Sequence, residues 1–174
     1  MELVNNIELR GFITNLGKYN EGCLVGEWID FPINEDDLKE VFERIEIDGV
    51  NYEEYFFTDW ECDLDLGLGE YESIDHVNEI AEMINDLSSD DYEKLVAIME
   101  YDTGNALEAI EYLDNYTFYH DTTLEDFAYD MVQEQYFSKE TPEIFQTYFD
   151  YEAFARDLSF EGYHEVNDGV LVSC

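Results

Sequence analysis

Residues 8–31, ELRGFITNLGKYNEGCLVGEWIDF, decide the fold class. Two runs rich in strand formers, 8–14 and 21–31, are joined by the turn-prone Asn15, Gly17, Asn20 and Gly22, a pattern that predicts an antiparallel hairpin. Pro32 ends the second strand, and Asn34 is placed to cap a helix carrying Leu38, Val41, Phe42 and Ile45. Asp48-Gly49 then turns the chain into a third strand over 52–60. Strands and a helix in this order make a small α+β unit.

Composition shifts after Trp60. The stretch 62–69 alternates acid, Leu and Gly and reads as a linker into helical territory. Ser73 caps a predicted helix whose Val77, Ile80, Ala81, Ile84 and Leu87 keep the 3.6-residue period. Ser88 or Ser89 opens another with Tyr92, Leu95, Val96 and Met99 inward, and a short third helix from Asn105 buries Leu107 or Ala106, Ile110 and Leu113.

An aromatic strand over 116–119 opens the last segment, followed by a helix announced by a capping box from Thr122 to Glu125, with Leu124, Phe127, Ala128 and Met131 on one face. Thr141-Pro142 starts the next helical region, 143–158. Its aromatic content exceeds what a small unit needs, so Phe145, Tyr148, Phe149, Tyr151 and Phe154 are the expected surface of a homodimer. Asn167-Asp168-Gly169 closes a terminal hairpin between 163–166 and 170–172. The expected architecture is α+β in three small domains: 1–61 with an antiparallel sheet, 62–114 helical, and 115–174 α+β.

Charge points to the partner. Forty-five Asp and Glu against seven Lys and Arg give a formal net charge of −38 on 174 residues. Duplex DNA carries roughly one negative charge per 1.7 Å of axis, so the chain matches about 19 base pairs. Such a chain repels nucleic acid and anionic lipid and attracts a strongly basic groove. With 45% hydrophobic residues, 16% aromatics and only two prolines it has material for packed cores and is not a disordered acidic tail. Self-repulsion favours a row of small units, hence an elongated molecule.

The acids are also ordered. Asp75, Glu79, Glu82 and Asp86 step by four, three and four and so form one stripe opposite the buried face of their helix. Over those positions the helix rises about 16.5 Å, a length in which one DNA strand presents roughly five phosphates. Glu108 and Glu111, then Asp126, Asp130 and Glu134, repeat the pattern, and Asp63, Asp65, Glu70, Glu72, Asp90, Asp91 and Asp114 extend it. Any amphipathic helix exposes carboxylates. Natural helices mix signs, however, because like charges at i and i+4 cost about 0.2–0.5 kcal/mol per pair, whereas no Lys or Arg interrupts 45–93 or 95–138.

An enzyme is the rival class, but the sequence has no HExxH, P-loop, nucleophile elbow or glycine-rich dinucleotide loop. His76, His120 and His164 lie on different elements and read as surface or partly packed residues, so no catalytic residue, metal ligand or cofactor is expected. Asp63, Asp65 and Gly67 begin like a calcium loop, yet Leu68 stands where glycine is needed and Ile74 where the final Glu belongs. Cys23, Cys62 and Cys174 are an odd number without metal spacing and read as reduced thiols. No apolar run is long enough to span a membrane, and 1–10 lacks the features of a signal peptide, so a cytoplasmic location is expected.

Two motifs, ITNLGKYNEG at 13–22 followed by LVGEWIDFP at 24–32, and YFDYEAFARDL at 148–158, resemble those of the ArdA antirestriction proteins, and the order of elements between them is similar across essentially the whole chain. The resemblance implies a protein of conjugative elements, an elongated homodimer of three-domain protomers that imitates bent duplex DNA. It also implies inhibition of type I restriction-modification enzymes by occupation of the DNA groove of the methyltransferase core, with the carboxylates above standing in for phosphates. Two other functions compete: an acidic decoy for a nucleoid protein or repressor, and an enzyme with an unrecognised carboxylate site. The 13–22 motif, with Asn15, Gly17, Asn20 and Gly22, reads as a turn that shapes the fold.

Overall fold

The computed structural model describes residues 7–174. It is α+β, with two three-stranded antiparallel sheets and eight α-helices among the described residues. The chain divides at Ser89 into two compact units, Met1–Ser89 and Asp90–Cys174, a division that falls inside the segment grouped by composition as 62–114.

In the first unit β1 (Leu9–Asn15) is the central strand, flanked by β2 (Gly26–Phe31) and β3 (Tyr55–Glu61). The expected hairpin is present, with Leu9 opposite Phe31 and Thr14 opposite Gly26. Its connection is more than a turn: Asn15 caps a short helix, α1 (Leu16–Asn20), and β2 starts later than the 21 expected. The cap explains the difference, because Asn15 Oδ1 accepts from Lys18 N at 3.0 Å and winds the glycine-containing segment into a helical turn. Asn34 caps α2 (Glu35–Arg44), accepting from Asp37 N. Beyond it Asp48 gathers the amides of Val50, Asn51 and Tyr52 and the Asn51 side chain, and these donors hold its carboxyl far below the usual carboxylate range.

The segment read as a linker is packed. Leu64 and Leu66 are buried while Asp63 and Asp65 between them are exposed, and Trp60 Nε1 donates to the Gly69 carbonyl at 3.1 Å. Helix α3 (Ile74–Asn85), capped by Ser73, buries Val77, Ile80, Ala81 and Ile84 as its period predicts. Asn78 anchors it through paired bonds with the backbone of Ile33, at 2.8 and 2.9 Å.

The second unit holds nearly all of α4 (Ser89–Ile98), which continues into a π-helical turn over Met99–Thr103 before α5 (Ala106–Glu111). Leu95, Ala97 and Ile98 are buried in α4, but Val96 faces solvent, contrary to expectation. In α5 the fully buried positions are Ala106 and Ala109, with Ile110 half-buried. The second sheet has the order β4 (Tyr116–His120), β6 (Gly169–Ser173), β5 (Tyr163–Val166). Its hairpin turns at Asn167-Asp168 as predicted, with Val166 opposite Gly169.

Helices α6 (Leu124–Met131) and α8 (Tyr151–Leu158) supply Leu124, Ala128, Ala155 and Leu158 to a core shared with Val170 of β6. The cap of α6 lies one residue later than expected: Thr123, not Thr122, accepts from Asp126 N and donates to Asp126 Oδ2. Thr123 takes the extended cap conformation, φ −86° and ψ 163°, so the box closes with the Thr123–Asp126 pair. A second π-helical turn, Val132–Tyr136, follows α6, and the region 143–158 is two helices, α7 (Glu143–Tyr148) and α8, separated at Phe149-Asp150. Gly169 admits no side chain, because a Cβ there would collide with the Tyr119 carbonyl across the β4–β6 pair. Gly169→Ala is therefore expected to cost at least about 2 kcal/mol, read as a fall in the denaturant midpoint.

Candidate functional site

Helix α3 places the stripe as its period requires: Asp75, Glu79, Glu82 and the C-cap Asp86 are all exposed, opposite the buried Val77, Ile80, Ala81 and Ile84. None of the four makes an ion pair among the described residues. Asp63, Asp65, Glu70 and Asp90 are exposed as well, as are Glu108, Glu111, Asp114, Asp126, Asp130 and Glu134. Glu72 and Asp91 are half-buried. Glu72 accepts from Gly69 N at 3.1 Å and lies 3.9 Å from His76 Nε2, and Asp91 pairs with Lys94 at 3.5 Å.

Most of the cations are committed locally. Arg10 bridges Asp30 and Glu61 at 2.8 and 3.1 Å across the first sheet. Arg44 holds Glu27 at 2.6 Å, and Lys18 meets Glu46 at 2.8 Å over the Tyr52 ring. These pairs all lie within residues 10–61 of the first unit. Beyond Asp63 the lysine and arginine pairs among the described residues are Lys94 with Asp91 and Arg156 with Asp157, so most of the carboxylates there present a field of one sign.

Sequence reasoning did not find the concavity of the second unit. A cavity of about 430 Å³ lies between α4, β4 and the β5–β6 turn, with Glu93, Glu100, Asp121 and Asp168 around it. Its geometry is fixed by polar contacts: Glu93 Oε2 sits 2.7 Å from His120 Nδ1, and Glu100 Oε2 accepts from Asn167 N at 3.2 Å. The π-helical turn after α4 aims three successive side chains at the sheet region. Glu100 meets the hairpin turn, Tyr101 stacks on His164 with ring centroids 3.8 Å apart, and Asp102 accepts from the Tyr116 hydroxyl at 3.2 Å. Burial holds His164 below the ordinary histidine value, which favours the neutral imidazole in the stack.

No group of three or more His, Cys, Asp or Glu is arranged to hold a metal ion among the described residues. Asp65 Oδ1 accepts from Gly67 N at 3.0 Å, closing the loop that begins like a calcium site. All three cysteines are free thiols, and burial pushes that of Cys62 up, keeping it protonated. No helix among the described residues is long and apolar enough to cross a membrane.

The expected dimer residues separate into two groups. Phe145 and Tyr148 of α7 are exposed, Tyr148 by 81%, and Ile144 beside them is exposed too. Phe149, Tyr151 and Phe154 are half-buried and pack on one another, Phe149 lying 4.9 Å from Tyr151 and 5.7 Å from Phe154 between centroids. An open apolar groove between the second π-helical turn and α7 is lined by Tyr136, Phe137 and these outer residues.

Fold and surface together define a strongly acidic α+β protein whose charge is displayed and largely unneutralised. The family model described as "Antirestriction protein (ArdA)" matches residues 12–172, so the chain belongs to the ArdA antirestriction family. That family inhibits restriction, which makes restriction enzymes the class of partner. No curated protein matches the chain.

Proposed function

We propose that this protein inhibits type I restriction-modification enzymes by occupying the DNA-binding groove of the methyltransferase core, its carboxylates taking the places of phosphates. The observation that carries this reading is the α3 stripe: four exposed carboxylates at near-phosphate linear density, unpaired among the described residues. Binding needs no catalysis, cofactor or metal. Charge attraction speeds encounter above the neutral range of roughly 10⁵–10⁶ M⁻¹s⁻¹ and makes affinity fall with salt. The test is competition between this protein and a target duplex for a purified type I methyltransferase core across a salt series. Failure to displace DNA at low salt and large molar excess would refute the proposal. Displacement of DNA from a nucleoid protein or repressor but not from the core would favour the decoy reading instead.

We further propose that the protein acts in the cytoplasm as a homodimer joined through α7, because Ile144, Phe145 and Tyr148 form an exposed apolar patch beside the open groove. Ile144→Asp with Tyr148→Asp is expected to convert the dimer to monomer in sedimentation while leaving the circular dichroism spectrum unchanged. A wild-type chain that sediments as a monomer would overturn this assignment.

A further inference from the structure

The cavity of the second unit differs in kind from the rest of the acidic surface. Carboxylates spread on helix faces act on any cation and select none, whereas this one is a concavity within the roughly 300–1,000 Å³ range of specific ligand sites. Its walls include Val96, Ala97, Phe118 and Val166, and Glu93, Glu100 and Asp168 lie around them. An apolar wall with an anionic rim suits a ligand that is itself apolar along its length and cationic at its tip. We infer that the cavity between α4, β4 and the β5–β6 turn is a socket for one arginine side chain of the basic partner. Deepening the proposed function, the inference rests on that reading.

Several features favour arginine. The stem of the side chain lies against Val96 and Val166, while the flat guanidinium stacks on aromatic faces and forks to carboxylates, for which Phe118, Tyr92, Glu93 and Glu100 are present. The rim is held in place before any ligand arrives: Glu100 is tied to the hairpin turn through Asn167 N, and Glu93 is tied to β4 through His120. A preorganised rim lowers the ordering cost of capture. DNA has no equivalent of an apolar-walled pocket, so the socket adds a fixed point of registration to an otherwise diffuse field.

Val96 permits a test. It is 39% exposed on α4, so Val96→Lys introduces a good helix former that brings its own ammonium into the cavity. Val50→Lys, at a position 78% exposed in the first unit, changes net charge equally elsewhere. The full chain is titrated with N-acetyl-arginine methylamide and, at matched ionic strength, with guanidinium chloride, while backbone amide shifts are followed. The expected result is saturable shifts confined to the surroundings of Val96, Phe118 and Val166, at lower concentration for the arginine probe, and abolished by Val96→Lys. Shifts that spread without saturating over the acidic surface, or that persist in Val96→Lys, overturn the inference. In the methyltransferase competition assay Val96→Lys is expected to weaken binding about tenfold, as loss of an anchor does, and Val50→Lys less than twofold. Equal effects of the two lysines overturn the socket while leaving the proposed function standing. A wild-type chain that never competes refutes that function, while the arginine titration still reports on the cavity.

Discussion

Replacing Asp75, Glu79, Glu82 and Asp86 together by their amides is expected to weaken displacement of DNA from the methyltransferase core by roughly 30- to 700-fold at low salt. Four surface charge contacts at about 0.5–1 kcal/mol each give about 2–4 kcal/mol, and 1.4 kcal/mol is about tenfold. Any one of the four changes alone is expected to cost less than about fivefold, since one contact is one quarter of that sum. The gap between wild type and quadruple variant should narrow as salt rises, because screening removes from the wild type what mutation has already removed from the variant.

Stability should move the other way. Asp75 with Glu79 and Glu82 with Asp86 are like-charge pairs at i and i+4, each costing about 0.2–0.5 kcal/mol, so the quadruple amide is expected to melt no lower than the wild type. A variant that loses inhibition while keeping its melting temperature locates the selective value of the stripe in binding. If one Asp→Asn change alone abolished inhibition, a specific site would have to replace the distributed picture. Joint loss of inhibition and melting temperature would leave unfolding as the cause.

Legibility in the sequence followed the range of the interactions. Caps such as Asn34 and Ser73 were readable because a capping side chain bonds an amide three residues away. The β5–β6 hairpin was readable for the same reason, its turn residues being contiguous. The α3 face was legible because Ile74 to Asn85 alternates apolar and polar residues at a single clean period. Helix α4 was not: Leu95 to Met99 is apolar on every side, so periodicity could not choose between Val96 and Ala97, and the packing of the second unit chose. The buried Leu64 and Leu66 were hidden by the opposite effect, since alternation with Asp63 and Asp65 resembles a solvated linker as much as a chain lying on a core. The candidate site divides along the same line. Exposed carboxylates follow from helical period alone, whereas the cavity requires α4, β4 and the hairpin turn to meet, with Glu93 and His120 27 positions apart in sequence.

Asn15 is expected to be the most sensitive polar position of the first unit, because one fully buried side chain closes three connections. Its Oδ1 caps α1, and its Nδ2 donates to the carbonyls of Ile45 at 3.0 Å and Glu46 at 3.1 Å, where α2 ends and Glu46 adopts a positive φ of 61°. Asn15→Ala removes the cap and leaves polar backbone groups without their partner, each loss worth about 1 kcal/mol or more, so a destabilisation of about 3 kcal/mol is expected by denaturant unfolding. Asn15→Asp keeps the acceptor for Lys18 N but sets a carboxylate against two carbonyl oxygens. Its charged form is disfavoured in the folded state, so its folded pKa is raised, and stability should recover as pH falls and protonation restores one donor. The same residue opens the NLGKYNEG portion of the 13–22 motif, which ties that signature to the junction of β1, α1 and the end of α2. An alanine variant as stable as the wild type would sever that tie.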